Sequence, residues 1–512
     1  MKNVVVIGAG ISGLSAALTC LIHDSENTNV TVVEKWNRPG GAVTSFKRDD
    51  YTFDTCQMMP DISDFIDFFK LNLKTDRIND IFGSLFVADA PNVKIDHFIF
   101  PSDFNEFLNR IIDFPDADKD RITAFFRKTS SIFENIRKLK IKMNMTDIIN
   151  LIFNSPDIVR FRNYSFSEFI NCHKMNGYPF VEIFNYFSAM TGLPPDNAAA
   201  LLSIGIMHSI IEGAYAVKPV FSELPQQMAA KIIELGGKIK YKTEVKSFSV
   251  DTNRINGVIL KNGQQIEADY VISAIDAKKT AEMIKNSCNR QVQKSKFVKK
   301  CSSMEMTGSS FTVYLGLDDR IDLNRKGLKG NYHILTSGKK SAQRIYSAFL
   351  DGKILFDDNN FQIAVSHTIQ PNEPGPVLTL SIHPVPFEFW HTLRITDLSG
   401  YKKEKNMLAL KIIAVFEKYL IPDLSSHIRM MCTASPATYS RYTGTASGSI
   451  HDIASLPDNF GASRISMFTP IEGLLMPKFS HGIYGTLCGG MQAADAVFNY
   501  SINKGKASLQ KK

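Results

Sequence analysis

The sequence lacks the cysteine pairs on which disulfide frameworks and zinc sites are built. Its seven cysteines are scattered through 512 residues, and no two of them have the spacing Cys-x-x-Cys. This pattern excludes a small disulfide-stabilised domain and indicates a protein of a reducing compartment. We therefore expect neither disulfides nor a metal site.

Long apolar runs are also missing. No stretch of about 18 apolar residues occurs, so the sequence predicts no transmembrane helix. The first apolar run, at residues 4–7, starts almost at once, and we expect no signal or transit peptide before it. The net charge of +8 comes without a nucleic-acid-binding motif, so nucleic acid is not an expected partner. Together these features predict a cytoplasmic protein.

A glycine-rich turn near the start of the chain separates an apolar run from an amphipathic segment. Gly8, Gly10 and Gly13 form the spacing Gly-x-Gly-x-x-Gly, Ser12 lies inside it, and Glu34 follows about 20 residues later. Such a strand–turn–helix unit presents backbone N–H groups to a pyrophosphate, and the acidic residue accepts hydrogen bonds from ribose hydroxyls. A carboxylate here disfavours a 2′-phosphate, so FAD or NAD is favoured over NADP.

A second glycine pair follows Glu34. The segment that begins with Lys35 ends in Gly40, Gly41 and Ala42. It resembles the pair that runs along the FAD diphosphate in amine-oxidase-like flavoproteins. The resemblance implies that FAD is the cofactor and that these four residues belong to its site.

Further segments resemble the phytoene desaturase, carotenoid isomerase and retinol saturase group of these flavoproteins. Residues 50–60 (DYTFDTCQMMP) match an N-terminal motif of the group, with a cysteine where glycine is usual. Residues 435–449 (SPATYSRYTGTASGS) match its most specific C-terminal block. The resemblance also implies a backbone contact from Val245 and a helix start at Gly482 and Gly485 that faces the flavin.

The same resemblance implies an α/β protein made of two interleaved domains. A discontinuous, Rossmann-like FAD-binding domain is expected at residues 1–75, 218–290 and 431–512. A mixed α+β substrate-binding domain is expected at residues 76–217 and 291–430.

The function implied is an oxidoreductase that changes C=C bonds of an apolar, carotenoid-like isoprenoid by desaturation, saturation or cis–trans isomerisation. Hydride would pass between the substrate and flavin N5. His481 and Tyr442 are the candidate catalytic residues, and a structural role is the alternative for each. A flavin-dependent amine oxidase and a non-catalytic flavin-binding protein are the alternative functions.

The sequence leaves the electron partner open, since O2, a quinone, a reductant protein and no net exchange are all compatible with it. No second Gly-x-Gly-x-x-Gly unit occurs, so a dedicated NAD(P)H domain is not expected. Residues 125–145 combine Lys and Arg with Phe and Ile in the manner of a basic amphipathic helix. This predicts either peripheral contact with the inner face of the cell membrane or packing of one helix face on its own domain.

Overall fold

The structure is a computed structural model of the chain. It describes residues 1–89, 94–114, 118–137, 153–287, 290–338, 341–370, 372–461, 464–477 and 482–509. The strands are β1 (Lys2–Ile7), β2 (Thr28–Val33), β3 (Ser45–Arg48), β4 (Tyr51–Asp54), β5 (Lys74–Arg77), β6 (Ile81–Asp89), β7 (Lys94–Pro101), β8 (Tyr215–Lys218), β9 (Lys238–Lys240), β10 (Val245–Asp251), β11 (Arg254–Leu260), β12 (Gln265–Glu267), β13 (Tyr270–Ser273), β14 (Ser309–Leu317), β15 (Tyr332–Thr336), β16 (Gln362–Thr368), β17 (Val377–Val385), β18 (Ile428–Ala434) and β19 (Leu474–Leu475).

The helices are α1 (Ile11–Asp24), α2 (Ser63–Phe69), α3 (Phe104–Ile112), α4 (Lys119–Arg137), α5 (Pro156–Phe161), α6 (Phe166–Cys172), α7 (Phe180–Ala189), α8 (Ala200–Glu212), α9 (Glu223–Glu234), α10 (Ala277–Ser287), α11 (Arg290–Gln293), α12 (Lys296–Ser303), α13 (Ser341–Leu350), α14 (Phe387–Thr396), α15 (Leu398–Tyr419), α16 (Leu424–His427), α17 (Pro436–Thr443) and α18 (Gly482–Leu509), with a short 3₁₀ turn at Pro457–Asn459.

Five parallel strands form the sheet that carries the glycine-rich turn, in the order β19-β13-β1-β2-β9. They come from three distant parts of the chain, so this unit is discontinuous, as expected. In β1, Val4 and Val6 pack with α1 and α18, whereas Val5 and Ile7 pack with the sheet of β10, β11 and β12. Burial on both faces explains why β1 is an unbroken apolar run.

Helix α18 brings the end of the chain back to its beginning by packing on α1. A Cβ on Gly490 would lie 2.2 Å from the Ser12 carbonyl oxygen, so this approach of the two helices requires glycine. The Ser15 hydroxyl donates a hydrogen bond of 2.7 Å to the Leu487 carbonyl oxygen across the same contact. The Rossmann-like α/β prediction is thereby confirmed.

A seven-stranded sheet, β18-β14-β17-β16-β15-β6-β7, is the centre of the second unit. Neighbouring strands are antiparallel except β15 and β6, which are parallel. One face of this sheet packs against α15 through apolar side chains, and helices α3 to α8 form a separate cluster rich in phenylalanine. The predicted mixed α+β unit, interleaved with the first, is confirmed, while the exact domain boundaries stay a prediction.

The predicted amphipathic segment 125–145 is described only as far as Arg137, and its remaining residues lie outside the described part. In α4, Phe125, Phe126 and Phe133 are buried in the helical cluster, so this half packs on its own domain. Within the described ranges, no helix combines the length and the apolar character needed to cross a membrane.

Candidate functional site

The glycine-rich turn lies at the carboxyl end of β1, where α1 begins. Gly8 has a φ of +99°, a conformation that side chains disfavour. A Cβ on Gly13 would lie 2.0 Å from the Gly8 carbonyl oxygen, so α1 packs on the turn only because residue 13 is glycine. A Cβ on Gly10 would approach nothing more closely than Gly41 Cα at 4.0 Å, and Gly10 lines an open cavity. The backbone at Gly10 is therefore accessible to a ligand.

Glu34 follows β2 and is buried beside this turn. Its Oε2 accepts a hydrogen bond from the Ala9 N–H at 2.8 Å, and its Oε1 accepts one from the Trp36 N–H at 2.9 Å. Both bonds hold the carboxylate at the edge of the cavity. Each oxygen retains acceptor capacity for a ligand hydroxyl group.

The second glycine pair packs against the first turn. The Gly40 N–H donates to the Ala9 carbonyl oxygen at 2.9 Å, and a Cβ on Gly41 would lie 3.2 Å from Gly10 Cα. Two chain segments with little side-chain bulk thus meet, and together they form a wall of exposed backbone in the cavity.

Two lysines give this end of the cavity positive charge. Lys35 and Lys279 both line it, and burial together with the charge of Lys279 lowers the pKa of Lys35. The Asp276 carboxylate accepts hydrogen bonds from the backbone N–H groups of Lys278 and Lys279 at the start of α10, and from the Ala446 N–H at 3.1 Å. An anion between the two lysines would offset their repulsion. We call this part of the cavity the nucleotide end.

A single cavity of about 2270 Å³ collects most of the predicted site residues. It is lined by Gly8, Gly10, Ser12, Glu34, Lys35, Gly40, Gly41, Ala42, Val245, Tyr442, Gly482 and Gly485. Gly13 is not among the lining residues, because it packs behind the turn. The predicted catalytic candidate His481 lies outside the described residues.

Tyr442, the other catalytic candidate, lies at the rim of the cavity and is 48% exposed. Its ring stacks on that of Trp36, with the centroids 5.8 Å apart, and the backbone N–H of Trp36 donates to the Glu34 carboxylate. Tyr439, from the same helix α17, reaches further in, because its hydroxyl lies 2.6 Å from Thr312 Oγ1 on the seven-stranded sheet. The resemblance singled out Tyr442 alone, although the matched block also contains Tyr439.

The cavity continues from the nucleotide end to a wall formed by helices α4, α7 and α8. The apolar residues of this helical wall are Phe133, Ile136, Met190, Leu202, Ile206 and Ile210. Ligand pockets usually have volumes of about 300–1,000 Å³. The cavity therefore has room for a dinucleotide and a second long molecule.

The other wall of this far end is one face of the seven-stranded sheet, and it is polar. Its hydroxyl-bearing side chains are Ser310, Thr312 and Tyr314 of β14, Ser366 of β16, and Thr379 and Ser381 of β17. Sequence analysis did not single them out, because they come from three separate strands. The alternation of hydroxyl-bearing residues along β14 is the one sequence pattern that could have indicated this polar wall. The same pattern is equally typical of a strand with one face exposed to solvent.

Two histidines lie next to this polar face. His383 Nδ1 is 3.0 Å from the Ser309 carbonyl oxygen and His383 Nε2 is 2.9 Å from the Gly192 carbonyl oxygen. His451 lies at the same turn, since a Cβ on Gly192 would be 2.8 Å from its Cδ2. Burial lowers the pKa of His383 and lowers that of His451 to about 3, so both rings favour the neutral form at neutral pH. No sequence motif marked either histidine.

The cysteine of the 50–60 segment, Cys56, also lines the cavity. Burial raises the pKa of its thiol to about 12, so the reactive thiolate is disfavoured at neutral pH. Among the described residues, no three His, Cys, Asp or Glu side chains are arranged to hold a metal ion.

The fold combines a parallel sheet that carries a glycine-rich turn, an acidic residue after the second strand of that sheet, and an interleaved second unit. These features define a dinucleotide-binding protein of the two-domain class. The family profile described as flavin containing amine oxidoreductase matches residues 11–351. The chain belongs to this family, and it is therefore a flavin-dependent oxidoreductase.

Similar proteins confirm the resemblance to carotenoid-modifying enzymes. Chloroplastic prolycopene isomerase of Daucus carota is 25% identical over 475 residues, which cover 87% of this chain and 71% of that protein. The 4,4'-diapophytoene desaturase of a Methylomonas species is 23% identical over 379 residues, covering 71% of this chain and 68% of that protein. Cyclohexylamine oxidase from Brevibacterium oxydans has the same fold, with a TM-score of 0.60 at 14% identity over 97% of this chain and 98% of that one.

The nucleotide end fits the flavin group of this family. Backbone at Gly10 is open to a ligand, two cationic side chains lie near it, and Glu34 retains acceptor capacity for hydroxyls. These are the features that a ribose and a diphosphate require.

Proposed function

We propose that the protein is a FAD-dependent oxidoreductase that changes C=C bonds of a long isoprenoid of carotenoid type, by desaturation, saturation or isomerisation. The observation that carries this proposal is the continuity of one cavity from the glycine-rich turn to the apolar helical wall. Bound FAD supplies hydride transfer at flavin N5. The chain supplies orientation of the substrate and a site shielded from water.

The nucleotide end supports a dinucleotide cofactor, and the family match favours FAD over NAD. Glu34 is positioned to bind ribose hydroxyls, while Lys35 and Lys279 offset the charge of a diphosphate. The second glycine pair extends the accessible backbone beyond the first turn, which suits a cofactor longer than a mononucleotide. The proposed site is completed by Ser12, Ala42, Val245, Gly482 and Gly485.

The helical wall supports a polyene substrate. Its side chains are mainly Phe, Ile, Leu and Met, and each buried CH₂ group of a ligand contributes about 0.8 kcal/mol. Prolycopene isomerase and diapophytoene desaturase, by their names, act on such molecules. Tyr442, because it stacks on Trp36, is proposed to cover the nucleotide rather than to act on the substrate. A catalytic role of His481 stays a prediction.

The test is co-expression of the protein in strains that supply phytoene, lycopene or retinol, followed by chromatography with absorption spectra. A change in chromophore length indicates desaturation or saturation, and a shifted cis band at unchanged length indicates isomerisation. A matched strain carries Gly10→Val, which we expect to be inactive. If none of these polyenes changes and a primary amine rapidly reduces the flavin, the protein is an amine oxidase instead.

We also propose that the protein attaches peripherally to a membrane surface, from which an apolar substrate would be drawn. The support is the basic composition of segment 125–145, part of which lies outside the described residues. Flotation with anionic vesicles tests this, and neutral vesicles are the control. A protein that stays unbound with both vesicle types has no such attachment.

A further inference from the structure

We propose that the substrate carries a neutral oxygen function, a hydroxyl or a carbonyl group, which is bound by hydroxyl side chains on the sheet wall of the cavity. We define the hydroxyl ladder as Ser310, Thr312, Ser366, Thr379 and Ser381. The inference rests on the proposed function and narrows its substrate class from isoprenoids in general to oxygenated isoprenoids.

The strand register brings the hydroxyl ladder together. Thr312 of β14 lies opposite Ser381 of β17, and Thr379 of β17 lies opposite Ser366 of β16. Because side chains alternate along a strand, these positions share one face of the sheet. Intervening residues such as Phe311 and Leu380 are buried in the apolar cluster on the opposite face. The sheet is therefore polar toward the cavity and apolar away from it.

Only some side chains of the hydroxyl ladder form hydrogen bonds within the protein. Thr312 Oγ1 lies 2.9 Å from Ser381 Oγ and 2.6 Å from the Tyr439 hydroxyl, so this group has partners. Ser310, Ser366 and Thr379 are only 5%, 7% and 8% exposed, yet none of their hydroxyls forms a hydrogen bond with any residue in the described ranges. All three line the cavity.

The three hydroxyl oxygens are not enclosed in the protein but face the cavity, so a ligand that fills the cavity displaces water from them. A hydroxyl that loses water and gains no other hydrogen-bond partner destabilises the complex. A cavity built for a pure hydrocarbon would be expected to have alanine or valine at these positions, as β16 does at Ala364 next to Ser381. Three such hydroxyls on one wall therefore point to a ligand that hydrogen-bonds there. The helical wall is mainly apolar, with Arg137, Ser209 and Glu212 as the polar residues of α4 and α8 that line the cavity, so most of that ligand is apolar.

The ladder also indicates that the ligand's polar group is uncharged. The cavity-facing positions of β14, β16 and β17, all within the described ranges, carry no Asp, Glu, Lys or Arg. His383, at the end of the ladder, favours its neutral form because burial lowers its pKa. An ammonium or carboxylate group would find no opposite charge on these strands, whereas a hydroxyl or carbonyl oxygen finds donors.

The experiment measures binding of three probes to the flavin-loaded protein by quenching of flavin fluorescence. The probes are lycopene, a hydroxylated derivative and a keto derivative of the same chain length. We expect the two oxygenated probes to bind about tenfold more tightly than lycopene, the scale of one or two net hydrogen bonds. Thr379→Val, which keeps the side-chain shape, should remove most of that preference.

Two further variants make the outcome decisive. Ser366→Ala is the second ladder variant, in case Thr379→Val lowers flavin content. Thr368→Val is the matched control, because Thr368 lies on β16 but does not line the cavity. If lycopene binds as tightly as the oxygenated probes, or if the ladder variants weaken all three equally, the inference is wrong while the proposed function stands. If no probe binds to flavin-loaded wild-type protein, both are wrong.

Discussion

The two ends of the cavity are lined by different parts of the chain, backbone at one end and side chains at the other. At the nucleotide end the walls are backbone, held close together by Gly8, Gly10, Gly40 and Gly41, with one carboxylate fixed by backbone N–H groups. At the far end the walls are side chains, apolar on the helices and hydroxyl-bearing on the sheet. A side chain added at one of these glycines should therefore abolish cofactor binding at the nucleotide end. Replacing one lining side chain by another at the far end should instead change substrate specificity.

Gly10→Val gives the largest effect that this comparison predicts. The Gly10 Cβ position has no neighbour closer than 4.0 Å, so a side chain there is tolerated by the fold but takes space at the diphosphate position. We expect loss of essentially all bound flavin and a thermal unfolding profile that matches that of the flavin-free wild-type protein, because bound flavin itself stabilises the fold. Visible absorbance and circular dichroism measure the two quantities. Retention of flavin at wild-type affinity would show that the nucleotide does not lie against this turn.

Glu34→Ala should have the next largest effect. The substitution removes the acceptor for ribose hydroxyls, and FAD affinity should fall by about 1.5–3 kcal/mol, the scale of a hydrogen bond to a charged group. It also removes the acceptor of the Ala9 N–H, so some loss of stability is expected. Glu34→Gln keeps an oxygen at the site and should lose less. Titration of the apoprotein with FAD measures the difference, and equal affinity of Glu34→Ala and wild type would contradict the assignment.

The difference between the two ends of the cavity explains which parts of the site can be predicted from the sequence. Most of the nucleotide end is encoded within residues 8–42, where glycine spacing is a direct requirement of close backbone approach, so these parts can be identified from the sequence. Lys279 and Asp276 lie far along the chain, and no motif marks them. The far end depends on tertiary contacts between α4, α8, β14, β16 and β17. His383 and His451 come together only through the Gly192 turn, which no local pattern specifies. That Tyr439 reaches the seven-stranded sheet while Tyr442 stacks on Trp36 likewise depends on the orientation of α17.

The far end should also be the more sensitive to acid. His208 of α8 is fully buried between the rings of Phe104 and Phe133, with Nε2 2.9 Å from Thr129 Oγ1. Burial lowers its pKa from 6.5 to about 4. The folded state thus favours the neutral ring, and the stability this gives is present above pH 6.5 and is lost as the pH falls toward 4.

For His208 alone, the free energy of unfolding should fall by about 2 kcal/mol between about pH 7.5 and about pH 5. His208→Gln should reduce this pH dependence, although it also lowers stability at neutral pH by disturbing the packing. His391→Gln, at an exposed position, is the control and should retain the wild-type profile. Urea unfolding at the two pH values provides the measurement. Identical pH dependence in His208→Gln and wild type would show that His208 does not contribute.

Gly205→Val is the far-end counterpart of Gly10→Val, with the smallest expected effect. Gly205 lies on α8 and lines the cavity, and a Cβ there would meet no atom within 4 Å. Valine is no worse than glycine in a helix, so the fold should be kept. We expect flavin content to be unchanged and polyene binding to weaken about tenfold, because the new methyl groups occupy space that the ligand needs. Gly177→Val is the control, since Gly177 also has open space around it but does not line the cavity. Loss of flavin in Gly205→Val would mean that the cofactor extends along α8, and undiminished polyene binding would mean that the substrate does not reach this wall.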